Sequence, residues 1–314
     1  MVKECHVRRG LAVIVGVKTY EPHALDTTAD IDRKGLMDLF QHHYQYTTLC
    51  LDQDRVSREE FTDFLWKCRV HLHRHCDEYD VFIFAFSGHG HQDAIMLSDG
   101  EHYPRIDLLR YFNGMNCSRF SRKPKVFILD ACKGAMATPR LCTRNERATE
   151  GVGPLGPDDN IVVLEANTTG YVAYEFAQSG GVMMRSFIKV MRSNEHRMTL
   201  DDMAKLVQIE MDRIGRSTET KQTMEYGQRG MVRNVVLWTP SAERNTAASS
   251  SVGGDRLGAG RLGAEEKKDG SLWNNVVRYV SFVIGGGRKR SRVASCREEV
   301  EVDGEPPLKR RRVK

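Results

Sequence analysis

Short runs of apolar, mostly β-branched residues alternate along this chain with stretches whose apolar positions recur every three to four residues. The runs GLAVIVGV (10–17), YTTLCL (46–51), DVFIFAF (80–86), KVFILDA (125–131), NIVVLEA (160–166) and GMVRNVVLW (230–238) predict strands. Most are unbroken rather than alternating, as in parallel strands buried on both faces. Between them, IDRKGLMDLF (31–40) brings Ile31, Leu36, Leu39 and Phe40 to helical spacing. SREEFTDFLWKCRVHL (57–72) opens on Ser57 with Glu60 three residues later, a capping-box pattern, and aligns Phe61, Phe64, Leu65, Cys68 and Leu72 on one face. Segments 180–192 and 199–215 also read as helices. Six strands separated by helices imply an α/β fold, a mostly parallel six-stranded sheet flanked by helices.

The pattern stops at Trp238. Residues 1–238 are expected to form one folded domain and 239–270 a linker rich in Ser, Gly, Ala and charge. The apolar segment SLWNNVVRYVSFVI (271–284) follows, within a unit placed at 271–286. It is too short to span a bilayer and is expected to dock on the body as a helix or strand, or else to meet a partner or membrane surface. Residues 287–314 read as a disordered basic tail. From Arg288 to Lys314 there are 10 Lys/Arg and 5 Asp/Glu, which leaves 37 basic and 37 acidic residues elsewhere, out of 47 and 42. A basic folded domain gripping nucleic acid is thus not expected, and only the tail offers such a contact. GRKRSR (287–292) and LKRRRVK (308–314) have the form of nuclear import signals. With no apolar leader or membrane-length run, the eight Cys are expected to be reduced thiols in a cytoplasmic or nuclear protein.

Two segments place a reactive side chain where a buried strand ends. In FIFAFSGHGHQD (82–93), His89 stands between Gly88 and Gly90. In KVFILDACKGA (125–135), Cys132 precedes Gly134 by two residues. Ligands of parallel sheets bind at the carboxyl ends of the strands. If these strands are neighbours, Cys132 and His89 face one crevice. His89 can then take the thiol proton and later protonate a leaving amine. The amides of Gly90 and Cys132 are candidates for an oxyanion hole.

SGHG (87–90) and DACKG (130–134), with the His 43 residues before the Cys, resemble the caspase-like cysteine peptidases: caspases, metacaspases and paracaspases. The resemblance runs from GLAVIVGV to Trp238. It implies the caspase-like fold and a cysteine endopeptidase with a Cys132–His89 dyad. A catalytically silent scaffold or regulator and an Asp-specific peptidase are the alternatives.

Departures from the caspase pattern concern the specificity pocket. Caspases cut after Asp and carry a Gln two residues before the nucleophile and two pocket Arg residues. Here the first position is Asp130. Glu175, in GYVAYE (170–175), stands where one Arg would be. HALDTTADID (23–32) has no Arg but Asp26, Asp30 and Asp32. At these places the chain resembles paracaspases and metacaspases, which cut after Arg or Lys. Asp32 best keeps the family's distance to the Leu39-Phe40 pair, with Asp26 and Asp30 as alternatives. Carboxylates in a small pocket repel a substrate Asp and match a guanidinium, whose five donors pair bidentately. Protein or peptide substrates with basic residues are therefore expected.

The resemblance also implies an activating cut between the central strands. The Thr-, Gly- and Pro-rich stretch 135–160 offers Arg140, Arg144 and Arg147. Caspases and paracaspases pair through their last strand, here 230–238, so a homodimer through that strand is expected, although metacaspases tend to be monomeric. No cofactor is expected; resemblance to metacaspases would admit calcium, with Asp158 and Asp159 as loop acids. HLHRHC (71–76) is read as imidazoles at a helix C-terminus rather than as metal ligands.

Overall fold

The computed structural model describes residues 4–21, 26–91, 93–133, 160–168, 173–193, 198–218, 220–237 and, as backbone, 277–279. All lie in the unit Met1–Ile284; the second unit, Gly285–Lys314, falls outside the described residues. So do the predicted import signals, the linker, the candidate cleavage sites Arg140, Arg144 and Arg147, and Asp158 and Asp159.

The elements in chain order are β1 (Glu4–Val7), β2 (Gly10–Gly16), α1 (Ala29–Met37), β3 (Thr47–Leu51), α2 (Arg58–Arg74), β4 (Val81–Ser87), β5 (Gly90–His91), β6 (Ala94–Met96), β7 (His102–Pro104), α3 (Arg105–Tyr111), β8 (Lys125–Asp130), β9 (Ile161–Glu165), β10 (Tyr174–Phe176), β11 (Gly180–Gly181), α4 (Val182–Ser193), α5 (Leu200–Thr218), β12 (Glu225–Arg229), β13 (Asn234–Leu237) and β14 (Val277–Tyr279). The central sheet has six strands in the order β12-β9-β8-β4-β2-β3. Every pair in it is parallel except β12 with β9.

Both faces of the sheet are covered, which is why its strands are continuously apolar. Because side chains alternate along a strand, one face gathers Ala12, Ile14, Ile83, Ala85, Val126 and Ile128 against Leu36 of α1, Met184 and Phe187 of α4 and Val207 of α5. The other gathers Val13, Val15, Phe82, Phe84, Phe127 and Leu129 against Phe61, Leu65 and Leu72 of α2 and Leu108 of α3. The capping box of α2 forms as predicted: Ser57 Oγ accepts from the Glu60 amide, and Glu60 Oε2 accepts from the Ser57 amide at 2.8 Å.

One strand assignment is corrected. The stretch 230–238 does not join the central sheet. Its core, β13, pairs in parallel with β1, and Val235, Val236 and Leu237 are buried. The sheet's antiparallel sixth strand is β12, EYGQR. That sequence carries no apolar run because the strand lies at the sheet edge and most of its residues are exposed. The edge strands of the central sheet are thus Glu225–Arg229 and Thr47–Leu51, and not 230–238. Within the 271–284 segment, β14 pairs antiparallel with β10, with Arg278 opposite Glu175 in the register.

Candidate active site

β4 and β8 are adjacent and parallel, and their last register pair is Ser87 with Asp130. His89 and Cys132 each follow two residues later, so both leave the sheet at the same carboxyl edge. The turn is fixed by the Gly88 amide, which donates to the Asp130 carbonyl at 3.1 Å. The His89 amide donates to Tyr20 Oη at 2.7 Å, and the two rings lie 4.4 Å apart. Both residues are buried.

Cys132 is buried too, and the Ala173 amide donates to its Sγ at 3.4 Å. Burial pushes the thiol up to about 12; the Ala173 amide and Arg105 pull it down, and Asp130 and Glu175 push it further up. A thiol so placed is protonated at neutral pH, so it needs a base before it can attack.

Beside Cys132 is a narrow slot lined by Asp32, Ser87, Asp130, Ala173, Tyr174, Glu175 and Gly181. Asp32, Asp130 and Glu175, predicted from separate stretches, all line it. Each is held by donors from a different element. Asp32 Oδ2 accepts from Ser87 Oγ at 2.6 Å, and Oδ1 from the Gly181 amide at 3.0 Å. Asp130 Oδ2 accepts from the Met184 amide in the first turn of α4 at 3.0 Å. Glu175 Oε2 accepts from the amide and the hydroxyl of Thr28, at the start of α1, both at 2.9 Å. Helix N-termini thus face two of the acids, which favours their anionic form.

Burial opposes that. It pushes Asp32 well above the carboxylate range, aided by Asp130 and Glu175 and opposed by the Ser87 and Gly181 hydrogen bonds. It pushes Asp130 up to about 7, with the Met184 amide pulling down and Glu175 pushing up. The slot is nearly closed: only about 10 Å³ is free. Gly180 and Gly181 make the closure compatible with the acids, because a Cβ on either would collide with Asp32 Oδ1 or Asp130 Oδ2.

Two sequence expectations change. Asp26 is exposed and does not line the slot. The first helix begins at Ala29 rather than Ile31, which puts Asp32 in its first turn. The buried first turn carries Asp32 inward, whereas Asp26 lies outside it. Sequence reasoning did not find Tyr20, Ser87, the glycine pair or Ala173. Gly180-Gly181 before a helix was the one available signal, and it was read as part of that helix.

Next to Cys132, Lys133 is buried and pairs with Glu165 and with Glu225 of the edge strand, the latter at 2.7 Å. In the HLHRHC stretch, His71 bonds the Tyr79 hydroxyl and His75 bonds Glu78, both at 2.8 Å. Among the described residues no helix is long and apolar enough to cross a membrane.

A family model described as the caspase domain matches residues 9–236, most of the chain. This chain belongs to the caspase family. Its caspase domain is 24% identical to human caspase-10 (Homo sapiens) over 200 residues, covering 60% of this chain and 37% of the relative. It is 22% identical to caspase Dronc of Drosophila melanogaster over 246 residues, covering 70% and 52%. The chain therefore spans between about a third and a half of these curated relatives. The solved structure of caspase-1 from Spodoptera frugiperda has the same fold, with a TM-score of 0.57 and 19% identity over 77% of this chain and 94% of that one. Caspase-family peptidases work without a cofactor.

Proposed function

We propose that this caspase domain is a cysteine endopeptidase that cuts after Arg or Lys. Cys132 is the nucleophile and His89 the base. His89 takes the thiol proton as sulfur attacks the scissile carbonyl, and the Gly90 and Cys132 amides receive the developing oxyanion. His89 then protonates the leaving amine, and water releases the acyl group.

The observation that carries the specificity is the convergence of Asp32, Asp130 and Glu175 on the slot beside Cys132. A substrate Asp, the residue after which caspases cut, would add a fourth carboxylate to a buried site. A guanidinium or ammonium neutralises the acids instead. With so little free room, the walls must part for a long side chain to enter, and β10 and β11 are the short segments that would move. The arginines at 140, 144 and 147 fit the same specificity as self-processing sites.

The test is turnover of matched peptides ending in Arg, Lys or Asp by wild type and by Cys132→Ala. Cleavage after Arg and Lys alone, abolished in Cys132→Ala, is expected. Cleavage after Asp would return the chain to the specificity of its caspase relatives. No cleavage of any peptide by folded wild type would favour the scaffold reading.

A further inference from the structure

We propose that Arg105 is a positioning residue for the nucleophile: its guanidinium holds the backbone carbonyls around Cys132 and so aims the amide groups of that segment at the reacting carbonyl. The inference rests on the Cys132–His89 reading above.

Arg105 opens α3, directly after the β5–β7 hairpin that follows His89. Its side chain is buried. Nη2 donates to the carbonyls of Ala131 at 3.3 Å and Cys132 at 2.9 Å. Nε donates to the His91 carbonyl at 3.3 Å, and Nη1 to Glu165 Oε1 at 3.2 Å. A planar fork that stays charged thus ties the segment after His89 to the segment that carries the thiol. A salt bridge to Glu165 alone would be a scaffold contact. Here three of the four bonds go to carbonyls within two residues of a dyad member. Gly90 permits the approach: a Cβ there would stand 3.0 Å from both Ala131 Cβ and Arg105 Nη2.

The consequence follows from the planar trans peptide, in which the carbonyl of one residue and the amide of the next point to opposite sides. Holding the Ala131 carbonyl fixes the direction of the Cys132 amide. Holding the Cys132 carbonyl fixes that of the Lys133 amide. Arg105 lines a separate cavity of about 340 Å³ with Lys133, Glu165 and Glu225, and does not line the slot. The two carbonyls are therefore drawn to the cavity side and the two amides are turned away from it. The other oxyanion candidate is set the same way: the Met96 amide donates to the His89 carbonyl at 3.0 Å, which fixes the Gly90 amide. Charge adds a second effect. The guanidinium favours the Cys132 thiolate, against Asp130 and Glu175, which disfavour it from the slot side.

Arg105→Lys and Arg105→Gln test this in the full chain, with the melting temperature as the folding check. Three quantities are read: kcat and KM on an Arg peptide, and the pH dependence of Cys132 alkylation by iodoacetamide, followed by mass spectrometry. Lysine keeps the charge but cannot span four acceptors. It should lower kcat by about 10- to 100-fold with KM nearly unchanged, because misplacement of the reacting groups costs rate rather than affinity. Glutamine should do the same and also move the alkylation limb to higher pH, whereas the lysine variant keeps the wild-type limb. A folded variant with wild-type kcat, or a kcat loss matched by an equal change in KM, overturns the proposal. Should neither variant fold, Glu165→Gln loosens the guanidinium without deleting it, and an unchanged kcat there overturns it equally. If wild type cleaves no peptide, the alkylation limb decides alone: no difference between Arg105→Gln and wild type is the negative result. Residual activity in Cys132→Ala sinks the dyad reading, whereas a silent Cys132→Ala beside a fully active Arg105→Lys sinks only this one.

Discussion

Asp32 and Asp130 reach one slot from different elements, and each accepts a hydrogen bond from an amide of the same short segment, Gly181 for the first and Met184 for the second. The junction of β11 and α4 therefore carries a wall of the slot and donors that hold two of its acids. Burial presses both carboxyls toward protonation. An entering cation would relieve that pressure, so substrate binding and proton release are linked.

The first prediction concerns KM. With Asp130 raised to about 7 when the slot is empty, a bound guanidinium must displace a proton below that pH. KM for an Arg peptide should rise as pH falls through about 7, approaching tenfold per unit for one proton. A peptidase assay between pH 5.5 and 8.5 reads it. A KM independent of pH would show that Asp130 is already ionised in the empty slot.

Stability should run the other way for the same residue. A carboxyl whose folded pKa lies above its value of 3.8 binds protons more tightly in the folded state, so stability is present at low pH and is lost as pH rises from about 4 to about 7. Asp130→Asn removes that loss. The variant should melt higher than wild type at pH 8 and alike at pH 4, by scanning fluorimetry.

Activity of the same variant should fall. One member of a charge pair with the substrate is gone, at a cost on the order of 2–5 kcal/mol. Turnover of Arg peptides should drop by at least about 30-fold, while Cys132 stays reactive to iodoacetamide. Equal turnover by Asp130→Asn and wild type would remove the acidic slot from the specificity argument.

Gly181→Ala should abolish peptide cleavage in a protein that still folds. The added methyl would collide with Asp130 Oδ2 at the end of β8 and lie near Asp32, filling the entrance. Near-normal kcat/KM in this variant would mean that substrate enters elsewhere.

A last prediction concerns 277–279. This strand pairs with β10, which carries Glu175 and begins one residue after Ala173, the donor to Cys132 Sγ. An extended peptide entering this edge would need the same backbone groups. A chain shortened after residue 270 should therefore cleave peptides with a lower KM than the full chain. An unchanged KM would mean that the two do not compete.

The sheet was legible in the sequence because its central strands are buried on both faces, and burial writes itself as continuous runs such as VFIFAF and KVFIL. The placement of His89 and Cys132 at one edge of the sheet was legible for the same reason, since both directly follow those runs. The edge strand β12 was not, because exposure leaves EYGQR free of apolar pattern, and the more hydrophobic NVVL was taken for it. The convergence of Asp32, Asp130 and Glu175 was expected only through resemblance; the register and the first turns of α1 and α4 brought them together. Asp26 and Asp32 looked alike as acids in one stretch, and only the start of α1 separated them. Nothing local marked Arg105, whose partners His91, Ala131, Cys132 and Glu165 come from three other parts of the chain. Sequence alone determined what burial imposes on consecutive residues, while contacts between distant residues were decided by packing, which no single segment encodes.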